Sequence, residues 1–472
     1  MSIFNSDLKA EQIRSVLKDV KKSVRFVGIL GSGMYPLARL LSNRGYKVSG
    51  YDAAAHPDTY VDPCGIEISN RIRERNCGVG LTVYSLAIDG AHPEITLART
   101  EGIPLVSRAQ LLGALMSEYG TRVAVSGSHG KSTVTALIDR ILCESEREHT
   151  SLSGASLTSG NSLYDGAGDI FVAEACEYKD SFLRLSPTHQ IITSVELDHT
   201  DYFPDLASVR SSFLLAAHRA DTLIIGQDCP VAASIADEIR QNNGEKTHTV
   251  LTYGTDPASD YRICDVRVRG DKTDFSVVGE GMRFNLSTSL IGRFNLSNIA
   301  AAVATADALG IPGEAIERAV GAFLPIDRRL TLIAESEKLK VYYDYAHHPT
   351  EIGAVISALS ERYGSVVAIF RPHTYSRTRS LWQGFVDELG KADFTVILDI
   401  YPAREEPIEG ISSHRLSMDI PNAVYADSGS AARIACEHAE SVIVLLGAGE
   451  VEDVKNDLIK LVKNAGHTPE RR

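Results

Sequence analysis

The sequence predicts an α/β protein built from several doubly wound units, and three observations carry that prediction. Short apolar runs of β type alternate with helix-spaced apolar patterns from Val24 to Leu446. Two glycine turns, Gly28 to Met34 and Gly127 to Ser132, stand directly between such a run and such a helix. The length, 472 residues, is too great for one ordinary domain and suggests two to four.

Taken in order, a first helix is expected over roughly Asp7 to Lys21. Val24 to Leu30 then reads as a buried strand running into Gly28-Ile-Leu-Gly31-Ser-Gly33-Met34. A helix pattern follows through Leu37, Leu40 and Leu41 to Gly45, and a second strand, Tyr46 to Tyr51, ends at Asp52. Such an opening suits a nucleotide or nucleotide-sugar site, or simply a tight turn. The spacing G-x-x-G-x-G, in place of G-x-G-x-x-G, weighs against a dinucleotide, and a dehydrogenase would not account for the second and third units. Leu81 to Ile88 and Ile103 to Val106 continue the alternation to about Glu118, which closes a first domain at 1–120.

The next unit opens on Thr121-Arg-Val-Ala-Val-Ser-Gly127-Ser128-His129-Gly130-Lys131-Ser132-Thr133. Strand, glycine loop, Lys-Ser and helix wrap backbone N–H groups around phosphates. The helix dipole favours the anion, Lys131 reaches the β/γ-phosphates, and Ser132 offers an oxygen to Mg²⁺. The usual G-x-x-x-x-G-K-[ST] spacing places its first glycine at Val125, whereas here the glycine is Gly127. The alternative is a glycine turn that happens to precede Lys-Ser.

Two further strands, Asp169 to Ala173 and Gln190 to Val195, end in Glu174-Ala-Cys-Glu177-Tyr178 and in Glu196-Leu-Asp198-His199-Thr-Asp201-Tyr202. Carboxylates and a histidine at such strand tips lie where open α/β sheets bind ligands. Mg²⁺ prefers oxygen donors, so Ser132 and Glu174 with ATP phosphates suffice for one ion, and His199 could serve a second or orient a reacting group. Taken singly, each reads more readily as a solvated loop residue; their shared placement after strands is what points to a site. Gly292-Arg-Phe-Asn295-Leu-Ser-Asn298 leads into an Ala-rich helix from Ile299; its asparagines can read a base edge or cap the helix. Leu324-Pro325 closes this domain at 121–324.

A last unit, 325–472, has strands Val341 to Tyr343, Val366 to Phe370, Phe394 to Ile400 and Val442 to Leu446. Their tips carry Asp344-Tyr345-Ala-His347-His348-Pro-Thr-Glu351, Arg371-Pro-His373-Thr374-Tyr-Ser-Arg377-Thr378, Tyr401-Pro-Ala-Arg404-Glu-Glu-Pro407 and Gly447-Ala-Gly449. Histidine, tyrosine and arginine at strand tips suit a site better than a core, with a solvated loop as the alternative. Trp382 reads as core, and the tail Thr468 to Arg472 as frayed.

Composition narrows the function classes. Hydrophobic residues make up 44% and charged residues 23%, and no apolar run is long enough to span a bilayer. A cytoplasmic protein without membrane contact is expected. A net charge of −13 argues against broad nucleic-acid binding, which needs a basic face. The seven cysteines are scattered without a C-x-x-C pair, so neither a disulfide framework nor a thiolate zinc site is indicated.

Together these motifs, in this order, resemble the Mur ligases over nearly the whole chain. The His347-His-Pro-Thr-Glu351 and Pro372-His-Thr-Tyr-Ser-Arg-Thr378 stretches are similar to the alanine-adding branch. The resemblance implies a Rossmann-like N-terminal domain for a uridine-nucleotide substrate, a central P-loop ATPase domain and a C-terminal Rossmann-like domain. It implies ATP-driven ligation of L-alanine to UDP-N-acetylmuramate through an acyl phosphate, by a monomer or homodimer. By position, Gly127 to Thr133 hold the ATP phosphates, Ser132 and Glu174 ligate Mg²⁺, and His199 holds a second Mg²⁺. Asn295 and Asn298 lie at the adenine, and Arg329 and Asp344 reach the nucleotide. Tyr345, His347, His373 and Arg377 shape the site where amino acid and muramyl carboxylate meet, and Gly31, Ser32, Gly33 and Met34 approach the uridine nucleotide. Lys131, Glu174, His199, His347 and Arg377 form the catalytic set. Leu30, Tyr35-Pro36, His92, Phe294 and Thr374 depart from the family pattern. The first three bear on uridine contact and Thr374 on how the amino acid's carboxylate is held.

Overall fold

The computed structural model describes residues 8–19, 23–56, 59–157, 160–200, 202–241, 247–403 and 405–465. Asp201, Arg404, the outer ends of the expected first helix and the tail Thr468 to Arg472 lie outside these. Three sheets form the frame, in agreement with the expected three-domain α/β class. By contact the chain divides into two compact units, Met1–Thr288 with Ser297–Phe323, and Ser289–Leu296 with Leu324–Arg472.

The first sheet contains β1 (Ser23–Val27), β2 (Val48–Tyr51), β3 (Tyr60–Val61), β4 (Glu67–Ser69), β5 (Val79–Tyr84) and β6 (Leu105–Ser107), in the order β3-β4-β2-β1-β5-β6. All its pairs are parallel except β3 with β4. Its helices are α1 (Ala10–Lys18), α2 (Tyr35–Asn43), α3 (Pro93–Thr100) and α4 (Arg108–Met116). Strand β1 stops three residues before the expected Leu30, because Gly28 turns the chain at φ +83°. A Cβ there would lie 2.7 Å from Ile88 Cδ1, so glycine is required by both backbone and packing. Deep in this layer Arg25 and Glu94 pair at 2.8 Å, both almost fully buried.

The second sheet, in the same unit, has ten strands. These are β7 (Thr121–Ser126), β8 (Thr150–Leu152), β9 (Leu163–Asp165), β10 (Ile170–Glu174), β11 (His189–Ile192), β12 (Thr222–Gly226), β13 (Thr249–Gly254), β14 (Tyr261–Arg269), β15 (Lys272–Gly279) and β16 (Met282–Thr288). Their order is β16-β15-β14-β13-β12-β11-β7-β10-β8-β9. The centre is parallel, which buries both faces and explains the uninterrupted apolar runs. The antiparallel meander β14–β15–β16 was not anticipated. Its two hairpins turn on Gly270-Asp271 and Glu280-Gly281, both glycines having positive φ.

Helices α5 (Lys131–Glu144), α6 (Leu206–Ala217), α7 (Pro230–Gln241) and α9 (Gly313–Ala322) flank this unit; α8 (Arg293–Ala308) begins in the other one. Helix α8 starts six residues before the expected Ile299, so both Asn295 and Asn298 lie inside it. Asn298 is therefore not a cap. The second unit holds the third sheet: β17 (Thr331–Glu335), β18 (Lys340–Asp344), β19 (Val366–Phe370), β20 (Phe394–Ile397), β21 (Ala423–Tyr425) and β22 (Val442–Leu446). Its order is β17-β18-β22-β19-β20-β21, parallel except at the β17 edge. Helices α10 (Pro349–Tyr363) and α11 (Tyr375–Ser380) follow β18 and β19. Trp382 lies at the core margin, half-buried, with its indole N–H donating to Asp419 at 2.9 Å. Among the described residues no helix is long and apolar enough to cross a membrane.

Candidate active site

The phosphate loop follows from β7 and the glycines after it. Val125, where the usual motif has its first glycine, is a fully buried strand residue paired to both Glu174 and Ile191. The strand thus runs further than the common spacing allows, and the turn is compressed into Gly127–Gly130. Gly127 has φ +133° and Gly130 φ +83°. A Cβ on Gly127 would fall 1.9 Å from Thr193 Oγ1 and 2.9 Å from the Thr193 amide nitrogen; one on Gly130 would fall 2.3 Å from Asn298 Oδ1. Both positions combine a positive φ with no free room for a Cβ, which calls for glycine at each. The segment after β11 stitches the loop in place: Ser128 N donates to Ser194 O at 2.9 Å, and Glu196 N donates to Ser128 Oγ at 2.9 Å. Thr193 Oγ1 donates to His129 O, and His129 Nε2 lies 3.4 Å from Glu196 Oε2.

Lys131 opens α5 and curls over its own loop. Its Nζ donates to Gly127 O at 2.5 Å and contacts both Glu177 carboxylate oxygens at 3.1 Å. Burial alone lowers the pKa of an amine, but the Glu177 charge outweighs it and the Lys131 pKa is raised, so the cation persists. Ser132 and Thr133 fill the first helical turn, both nearly buried. Glu174, at the tip of β10, accepts from Gly154 N at 2.9 Å and from Ser153 Oγ. His199 sits in a left-handed turn at φ +53°, its Nε2 4.0 Å from Glu177 Oε1 and its ring 4.8 Å from that of Tyr178. Glu177 is therefore the hub joining Lys131 to His199. Its motif is visible in sequence, but its role there is not.

The first glycine turn meets this loop in a cavity of about 310 Å³. Gly31, Ser32, Gly33 and Met34 line one side, and Lys131 and Glu174 line the other. A second cavity of about 250 Å³ shares Ser32, Pro36 and Gly154 and is lined by Leu30, Tyr35 and Tyr60. Two of the positions singled out in the sequence, Tyr35 and His92, acquire explanations here. Tyr35 OH donates to Asp62 at 2.6 Å and braces the turn; Leu30 donates only its backbone N–H, to Asp52 Oδ2 at 2.9 Å, and nothing in the structure explains its side chain. His92 caps α3, its Nδ1 accepting from Glu94 N at 3.3 Å, as an asparagine would. Burial lowers its pKa, which suits an acceptor nitrogen.

In the second unit, Asp344 turns its carboxylate inward. One oxygen accepts from Leu330 N and the other from Ala346 N, each at 2.7 Å. Burial pushes its pKa up to about 6 against the pull of Arg329 and these amides. It thereby holds the loop of Arg328 and Leu330, both at positive φ, which carries Arg329. The Arg329 guanidinium lies 5.5 Å from the centre of the Tyr345 ring. The Tyr345 ring lies 5.3 Å from that of His347, His347 lies 6.2 Å from His373, and His373 stacks near Tyr401 at 5.6 Å. Arg377 is in α11, whose N-cap is Thr374 at φ +62°. The departure at Thr374 thus has a capping role. Phe294 packs on the core of this unit, and Asn295 Nδ2 donates to Ile291 O at 2.8 Å. Asn298, in the first unit, touches the back of the phosphate loop at Gly130.

The comparisons with known proteins agree with this geometry. Residues 23–120 match the model of the Mur ligase family, catalytic domain; 125–306 match the Mur ligase middle domain; and 328–449 match the Mur ligase, glutamate ligase domain. The UDP-N-acetylmuramate–L-alanine ligase of a Geobacter species is 34% identical over 457 residues, covering 94% of this chain and 98% of that protein. The enzyme of the same name from Paenarthrobacter aurescens is 37% identical over 440 residues, covering 91% and 94%. Among solved structures, UDP-N-acetylmuramate-alanine ligase from Thermotoga maritima superposes with a TM-score of 0.76 at 21% identity, covering 94% of this chain and 99% of that one. A murein peptide ligase from Psychrobacter arcticus gives 0.67 at 21%, with 94% and 99% coverage. Those two likenesses speak for the fold, while the sequence relatives, aligned nearly end to end, speak for kinship: the chain belongs to the Mur ligase family.

Proposed function

We propose that this chain ligates L-alanine to the lactyl carboxylate of UDP-N-acetylmuramate, using ATP and releasing ADP and phosphate, in peptidoglycan precursor synthesis. The observation that carries the reading is the single cavity lined by both the Gly31–Met34 turn and Lys131 with Glu174. A uridine nucleotide seated on the turn has its acid end directed at the phosphate loop.

A carboxylate is a poor acyl donor, so its oxygen attacks the γ-phosphate and an acyl phosphate forms as ADP leaves. The amine of alanine then attacks the carbonyl and phosphate departs. No protein nucleophile is needed; the chain supplies position and charge. The Gly127–Gly130 cradle, which any Cβ would fill, fits phosphate oxygens against backbone N–H groups. Lys131, preset by Glu177, places its cation over that cradle. Ser132 and Glu174 are hard oxygen donors that suit Mg²⁺, with His199 assigned to a second ion. Mg²⁺, when bound, offsets the negative charge of the phosphates.

The remaining roles follow the family motifs. Asn295 and Asn298 are assigned to the adenine side, Arg329 with Asp344 to the nucleotide, and Tyr345, His347, His373 and Arg377 to the amino acid and muramyl carboxylate. His347 is the better candidate base for alanine's ammonium. Its Nδ1 lies 3.0 Å from Tyr345 O, a carbonyl that can only accept, so Nδ1 carries the hydrogen and Nε2 the lone pair. The domains divide at 1–120, 121–324 and 325–472, and the enzyme works in the cytoplasm as a monomer or homodimer.

The test is phosphate release with ATP, Mg²⁺ and UDP-N-acetylmuramate, against L-alanine, glycine, L-serine and a preformed peptide in turn. Release with L-alanine at the highest kcat/KM is expected. Release only with the peptide, or with none of the four, would overturn the reading.

A further inference from the structure

The cavity between the two glycine turns carries a cation that neither turn contains. Arg108 opens α4 behind its Ser107 cap and lines this cavity. Its guanidinium lies against the first turn: a Cβ on Gly33 would fall 3.0 Å from Arg108 Nη1 and 3.3 Å from its Cδ and Cζ. The other charged groups on the lining are engaged, Lys131 with Glu177 and Glu174 with Ser153 and Gly154. Among the described residues no hydrogen bond or ion pair engages the Arg108 guanidinium. A half-buried guanidinium that faces a cavity and has no ion-pair partner suits an anion, and its planar fork fits two phosphate oxygens better than one point charge does.

We propose that Arg108 binds the diphosphate of the uridine nucleotide. Gly33, on which it rests, sits in the turn that leads into α2, whose dipole favours an anion at the same place; the Met34 and Tyr35 N–H groups are taken by Gly31 O and Pro36 has none, so the guanidinium supplies the donors. Lys131 and Glu174 serve the reacting end of the substrate, so the diphosphate, not the lactyl carboxylate, is the group at Arg108. This assignment rests on the uridine-nucleotide reading above.

Isothermal titration of UDP, UDP-N-acetylglucosamine and UDP-N-acetylmuramate into the full-length wild type, Arg108→Ala and Arg108→Lys tests it. Arg108→Ala is expected to weaken all three alike by about 10- to 100-fold, the size of losing a charge-assisted contact, with ATP binding retained. Arg108→Lys recovers part of that loss. If the alanine variant shows no melting transition, the lysine variant decides: a uniform loss of about 3- to 10-fold supports the proposal, and wild-type affinity overturns it. Weakening of UDP-N-acetylmuramate alone would move the contact to the carboxylate and overturn it as well. A wild type that binds none of the three overturns the substrate reading itself, and is thus distinguishable from failure of Arg108 alone.

Discussion

The two glycine turns of the first unit share one plan, strand then turn then helix, yet they differ in where their charge comes from. Gly127–Lys131 carries its own cation, and that cation is clamped by Glu177 from the neighbouring strand tip. Gly28–Met34 carries none; the guanidinium beside it arrives from α4. They also differ in what surrounds the glycines. Gly127 is pressed on backbone atoms of Thr193 and Ser194, whereas Gly33 is pressed on the far end of a flexible side chain. A methyl added at Gly127 must displace backbone, whereas one added at Gly33 need only displace a side chain.

The largest effect expected from this contrast is at Lys131. Lys131→Ala removes the only cation within the second turn, and phosphate release should fall by about 1,000-fold or more, in the range found when one preorganised charge donor is deleted. Glu177 is then left buried with only His199 near it, so near-UV circular dichroism must show native packing before the rate is interpreted. A folded variant with normal turnover would sink the assignment. Gly127→Ala comes next. The new methyl cannot be met by a side-chain swing, so the loop must move; a loss of about 100-fold in phosphate release and about 2–3 kcal/mol of stability in urea is expected.

The same contrast explains what could be read in the sequence. The phosphate loop was legible because its strand, glycines, lysine and helix are contiguous, and even its odd spacing has a cause, Val125 being held in the strand. The doubly wound frame was legible because parallel strands buried on both faces leave continuous apolar runs. Arg108 was not legible. It follows an ordinary capping serine, and only the fold brings it to Gly33. Asn298 was misplaced because the Ala-rich run from Ile299 dominates the helical signal, and asparagine is a weak helix former. The β14–β16 meander was missed although Gly-Asp and Glu-Gly mark its turns; its strands carry charged side chains outward and so lack an apolar run.

Buried ion pairs sharpen the comparison. The strand before the first turn is tied by Arg25 and Glu94, the helix after the second by His149 and Asp139, both fully buried. Burial alone lowers the pKa of His149, but the bonds to Asp139, Cys143 and the Arg147 carbonyl outweigh it and raise it to about 9. With a folded pKa above the unfolded value of about 6.5, the pair's contribution is complete below pH 6.5 and is lost as pH rises through 9. The expected loss is about 2–3 kcal/mol between pH 7 and pH 10, read from urea midpoints. Asp139→Asn should flatten that slope; a variant with the wild-type slope would place the titration elsewhere.

The smallest effect is expected at Gly33, and its size is the point. Gly33 has no left-handed backbone to strain, and the nearest atoms to its Cβ would be those of the Arg108 guanidinium and Cδ, at 3.0–3.3 Å. A long side chain yields by a few tenths of an ångström, so Gly33→Ala should shift Arg108 without unfolding anything. UDP affinity should drop about 3- to 10-fold, on the order of 1 kcal/mol. In an Arg108→Ala background the same substitution should cost nothing further, because the group it displaces is already gone. Equal losses in both backgrounds would mean that the methyl acts on the turn itself, and the first turn would then resemble the second more closely than its surroundings imply.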